Sequence, residues 1–104
     1  MCLASLHIGG LVAIGFDATG RYILTISHSG RGVFDMNTWQ RVARDPSPAY
    51  PLDGVAVGIG PIAGQSLPVS EINYDDGTLK VKSPNGEFAL TYSEGVVTVN
   101  SARI

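Results

Sequence analysis

The feature that most constrains this chain is the regular alternation of short apolar runs with turn-forming clusters between residues 13 and 43. Apolar runs occupy 13–16 (AIGF), 22–26 (YILTI), 32–34 (GVF) and 39–43 (WQRVA). Between them stand Asp17-Ala18-Thr19-Gly20, then Ser27-His28-Ser29-Gly30, then Asp35-Met36-Asn37-Thr38. Glycine tolerates positive φ, and Asp, Asn and Ser bond their own backbone, so each cluster reverses the chain. Runs of this length, bounded in this way, predict a four-stranded antiparallel meander over 11–44, with strands at about 11–17, 21–27, 31–36 and 39–43.

The second half repeats the pattern. A segment with three prolines, 45–54 (DPSPAYPLDG), reads as the connection between two halves, because proline removes a ladder donor. Strands are expected at 55–59, 67–74, 78–83, 87–92 and 96–100. Their turns are Gly60-Pro61-Ile62-Ala63-Gly64-Gln65, Asp75-Asp76-Gly77, Pro84-Asn85-Gly86 and Ser93-Glu94-Gly95. Asp-Gly and Asn-Gly between alternating runs are strong hairpin signals. Leu79/Val81, Phe88/Leu90/Tyr92 and Val97/Val99 each mark one apolar face at period two. Positive φ is expected at Gly20, Gly77 and Gly86. Residues 3–8 read as a first strand or a frayed start. Phe16-Asp17…Gly20 is echoed by Tyr74-Asp75…Gly77, and Ser27-His28-Ser29-Gly30 by Ser83-Pro84-Asn85-Gly86. The expectation is a single all-β domain over 1–104: a meander at 11–44, a connection at 45–54 and a second meander at 55–100. A sandwich or a half-open barrel satisfies it.

Residues 11–44 resemble one blade of a WD-repeat β-propeller. Phe16-Asp17-Ala18-Thr19-Gly20-Arg21-Tyr22-Ile23-Leu24 stands like that family's F-S-P-D-G-x-x-L turn, Ser27-His28-Ser29-Gly30 like its S-x-D-G, and Val33-Phe34-Asp35 like its V-W-D. The opening Gly-His is absent and Phe34 stands where the family has Trp. A closed propeller takes about four or more blades of roughly 40 residues, so a chain of 104 residues supplies two at most. The resemblance implies a two-blade unit that oligomerises into a propeller and binds a small ligand or glycan. In size, acidity and β-rich style the whole is similar to small bacterial immunity proteins, which implies a cytoplasmic domain that neutralises a cognate toxin by binding it.

Composition narrows the partners. Seven Lys and Arg stand against nine Asp and Glu, a net charge of −2, which leaves no basic footprint for nucleic acid. The N-terminal run lacks a basic n-region, since its first cation is Arg21, and Gly9, Gly10 and Asp17 interrupt or end it, so neither a signal peptide nor a membrane span is expected. One cysteine, Cys2, allows no internal disulfide and no cysteine-based zinc site.

Catalytic constellations are not legible. The run 58–64 (GIGPIAG) lacks the G-x-G-x-x-G spacing and no helix follows it. Asp75-Asp76-Gly77 lacks a calcium loop's alternating ligands. His7 and His28 are the only histidines, and His28 sits in a turn without a nucleophile elbow. No catalytic residue, metal or cofactor is expected. Trp39, the lone Trp, reads as a half-buried anchor or as a binding hot spot, a role that favours Trp, Tyr and Arg. Arg31, Arg41 and Arg44 lie near it along the meander, and Tyr50 lies in the proline-rich connection. Together these five are the candidate partner-binding residues of a non-enzymatic domain.

Overall fold

The turns are built as their residue types require. A computed structural model describes residues 2–17, 20–47, 50, 53–72, 77–83, 86 and 88–101. Between β2 (Leu11–Phe16) and β3 (Tyr22–Ser27), the buried Asp17 carboxylate accepts the backbone N–H of Arg21 and of Tyr22, both at 3.0 Å. Between β3 and β4 (Gly30–Asp35), the Ser27 hydroxyl donates to the Gly30 carbonyl at 3.1 Å. Asp35 then closes the next turn, its carboxylate accepting the N–H of Asn37 at 2.8 Å and its carbonyl that of Trp39 at 2.7 Å, before β5 (Arg41–Asp45). The fourth strand thus begins at Arg41 rather than at residue 39. Trp39 adopts φ 59, the left-handed conformation that ends the turn.

The remaining elements are β1 (Cys2–His7), β6 (Val55–Val57), a 3-10 turn at Gly60–Ile62, β7 (Ser66–Glu71), β8 (Leu79–Lys82), β9 (Phe88–Ser93) and β10 (Val96–Ser101). No α-helix occurs among the described residues, and every strand pair is antiparallel. Gly20, Gly77 and Gly86 take φ of 73, 70 and 73. The turn positions expected at Asp75-Asp76 and Pro84-Asn85, and residues 48, 49, 51 and 52 of the connection, lie outside the described residues.

The strands form an all-β arrangement of two sheets, ordered β5-β4-β3-β2-β7-β6 and β1-β10-β9-β8. Two details differ from two meanders in series. β6 and β7 join the first sheet, so the crossing to the second sheet falls between β7 and β8 and not in the proline-rich segment. β1 is a full partner of β10, with His7 opposite Val96 and Leu6 opposite Val97. The reason lies in β2, all six residues of which are buried. A strand covered on both faces needs a ladder on both edges, and β7 supplies the second.

Burial of both faces gives two cores. Between the sheets pack Ile14, Phe16 and Ile23 from the first sheet against Leu79, Leu90, Val97 and Val99 from the second. Behind the six-stranded sheet, which curls into a half-barrel, pack Val12, Leu24, Ile26, Val33, Ala56, Ile62 and Leu67. A bulge at β2 serves both cores. Leu11 pairs with Ser27 and Ala13 with Ile26, so Val12 is the extra residue, and Leu11 and Ile14 share one face.

Candidate binding groove

A second bulge, on β5, decides where the arginines point. Gly32 pairs with Arg44, Val33 with Ala43 and Phe34 with Arg41, leaving Val42 as the inserted residue. Paired residues lie on one face of a sheet. Arg41 and Arg44 therefore both lie on the face that carries Gly32 and Phe34, although strict alternation would put residues three apart on opposite faces. Val42 is left exposed at 47%. β5 ends the sheet, and its outer backbone edge has no hydrogen-bond partner among the described residues.

That face is only partly covered by the second sheet. Where Thr25, Ser27 and Gly32 continue it beyond Ile23 and Phe34, it opens into a groove of about 160 Å³. His7 and Gly9, at the end of β1 and the turn after it, form one wall; Arg41 and Arg44 form the other. The floor is low because Gly32 has no side chain. A Cβ there would stand 3.3 Å from the Thr25 hydroxyl and 3.6 Å from Arg41 Cδ. The floor hydroxyls are satisfied internally: Thr25 donates to the Gly32 carbonyl at 3.3 Å and Ser27 to that of Gly30. No carboxylate lines the groove. Arg41 and Arg44 are exposed and make no ion pair among the described residues.

The other three predicted residues are placed differently. Arg31 borders the groove, but it pairs with Asp45 on the opposite, inward face. Its guanidinium bonds the Asp45 carboxylate at 2.7 Å, the Ser47 carbonyl at 3.3 Å and the Val57 carbonyl of β6 at 3.1 Å, and its side chain is only 11% exposed. These bonds tie one end of the curled sheet to the other, a role internal to the fold. Trp39 stands at the far end of the β4–β5 hairpin and meets the Phe88 ring edge-on at 5.7 Å, packing on the inter-sheet core. Tyr50 is 53% exposed, with its hydroxyl 3.1 Å from Nδ1 of His28, the neighbour of Ser29 at the groove's rim. The five do not form one patch: Arg41 and Arg44 converge, Tyr50 stands near one end, and Arg31 and Trp39 face inward. His7, Gly9 and Thr25 were not among the predicted residues. Only the pairing of β1 with β10 brings the first two over this sheet, and nothing local in the sequence announces that pairing.

No group of three or more His, Cys, Asp or Glu among the described residues is arranged to hold a metal ion. No helix among the described residues is long and apolar enough to cross a membrane. Comparison with known protein families, curated proteins and solved structures finds no match. What the groove offers chemically is two planar, permanently charged forks on the last strand of the sheet, donors suited to carboxylate and other oxyanion groups.

Proposed function

We propose that this is a non-enzymatic protein-binding domain whose binding face is the β5 edge with Arg41 and Arg44, and that its most concrete form is an immunity protein occluding a toxin. The observation that carries the reading is the bulge at Val42, which turns Arg41 and Arg44, neither ion-paired among the described residues, to one face of the last strand of the sheet. Bulges of this kind re-aim side chains at functional edges. Arginine at such a site combines contact area with forked hydrogen bonding.

The test is growth protection in cells producing a toxin encoded next to this chain, read beside the melting temperature of each variant. Replacing both Arg41 and Arg44 with Ala is expected to abolish protection, weakening the complex by about 2 kcal/mol or more, while the fold melts as before. Full protection by the folded double variant removes this face from the interface.

A further inference from the structure

The groove has a shape and a charge that an edge strand alone does not require. Gly32 sits inside β4, where glycine weakens a strand and commonly marks the close approach of another group. A Cβ on the buried Gly32 would meet the Thr25 hydroxyl at 3.3 Å and Arg41 Cδ at 3.6 Å, so a larger side chain here would crowd both and intrude on the groove that Gly32 lines. Arg31, Arg41 and Arg44 all line the groove, and no Asp or Glu does. Asp45, the acid of β5, points to the opposite face and is held by Arg31. The protons of Thr25 and Ser27 are directed at backbone carbonyls. Arg41 and Arg44 line the groove without an ion pair among the described residues, and its volume of about 160 Å³ admits a short side chain bearing one planar oxyanion.

We infer that this groove is a carboxylate subsite: it receives the side chain of a Glu or Asp presented by the bound protein, gripped between the Arg41 and Arg44 forks above the Gly32 floor. The inference rests on the protein-binding reading and adds the chemistry that the partner must supply. A planar carboxylate matches the guanidinium fork through paired N–H donors, which gives selectivity for an acid over its amide.

The test is an NMR titration of the full chain, following arginine Nε–H signals and backbone amides. The probes are the blocked peptides acetyl-Val-Glu-Val-amide and acetyl-Val-Gln-Val-amide, with inorganic phosphate and acetate as free anions. The Glu peptide is expected to shift the Arg41 and Arg44 signals saturably, at least tenfold tighter than the Gln peptide and than either free anion. Two variants separate charge from shape. Arg44→Gln removes one fork, and Gly32→Val fills the floor while leaving the net charge unchanged; each is expected to lose most of that preference with amide spectra otherwise preserved. If Gly32→Val binds the Glu peptide as the parent does, there is no groove-bound carboxylate. Equal binding of Glu and Gln peptides overturns the inference, and phosphate binding tighter than the Glu peptide assigns the groove to a free anion instead. Failure of the underlying reading is distinguishable. A partner that binds equally well after all its acidic interface residues become amides defeats the subsite and leaves protein binding intact. A Glu peptide that docks in a chain offering no protection does the reverse.

Discussion

Single residues in this chain are set by neighbours at very different distances along it. Gly20, Gly77 and Gly86 take positive φ for reasons visible in the adjoining turn, and their conformation is legible in the sequence. Gly15 is different. It pairs with Val69 of β7, and a Cβ on it would stand 2.7 Å from Val69 Cγ1 and 3.1 Å from the Pro68 carbonyl oxygen. Nothing near residue 15 signals that requirement, because its cause lies in a strand made much later. Gly15→Val is expected to destabilise the fold by about 1–3 kcal/mol through overpacking, read as a lowered urea midpoint with an unchanged slope. A midpoint equal to the parent's would mean that β7 does not approach β2 so closely. Asp17 belongs to the local class: its carboxylate organises the β2–β3 turn from within four or five residues, and the sequence announces it.

At the scale of elements, three arginines of the first meander look alike in the sequence and do different things. The β5 bulge puts Arg41 and Arg44 on one face, and alternation along β4 puts Arg31 on the other. Arg31 faces inward and connects β4, β5 and β6, whereas Arg41 and Arg44 face the groove. Arg31 is a candidate binding residue in the sequence by its type and its place on the meander, neither of which carries its bonds to Asp45, Ser47 and Val57. Removing it is expected to cost stability instead. Arg31→Ala leaves the Asp45 carboxylate and the Ser47 and Val57 carbonyls without that donor, a loss of about 1–3 kcal/mol. Arg41→Ala, with no bond to lose among the described residues, is expected to stay within about 0.5 kcal/mol of the parent. Chemical denaturation of the two variants side by side makes the comparison, and equal stabilities would contradict the bridging role of Arg31. Trp39 shows the same limit from the other side. Its size and position suited either a hot spot or an anchor, and only its edge-on contact with Phe88 of β9 places it on the core.

For the whole molecule, the hairpins were legible and their allocation to sheets was not. Turn chemistry and alternation are local properties. The recruitment of β7 by β2 and the pairing of β1 with β10 answer to burial across the finished core. Deleting residues 2–7 is expected to strip one edge from β10 and remove Leu6 from the inter-sheet core, lowering the melting temperature or abolishing the cooperative transition altogether. A truncated chain that melts like the parent would show β1 to be dispensable. Pairings of such high sequence separation also predict slow folding for a domain of this size, on the scale of about milliseconds to seconds in stopped-flow refolding.

The pairing of the earliest strand with the latest also fixes a timetable for synthesis. Every strand of the half-barrel lies between Leu11 and Glu71, and that unit has an inner core of its own, so it is able to assemble while the chain is still being made. Cys2–His7 leaves the ribosome before all of it and must wait unpaired until Val96–Ser101 follows, because His7 has its place opposite Val96. From the emergence of β1 until that of β10 the nascent chain thus lacks the partner that β1 has in the finished fold.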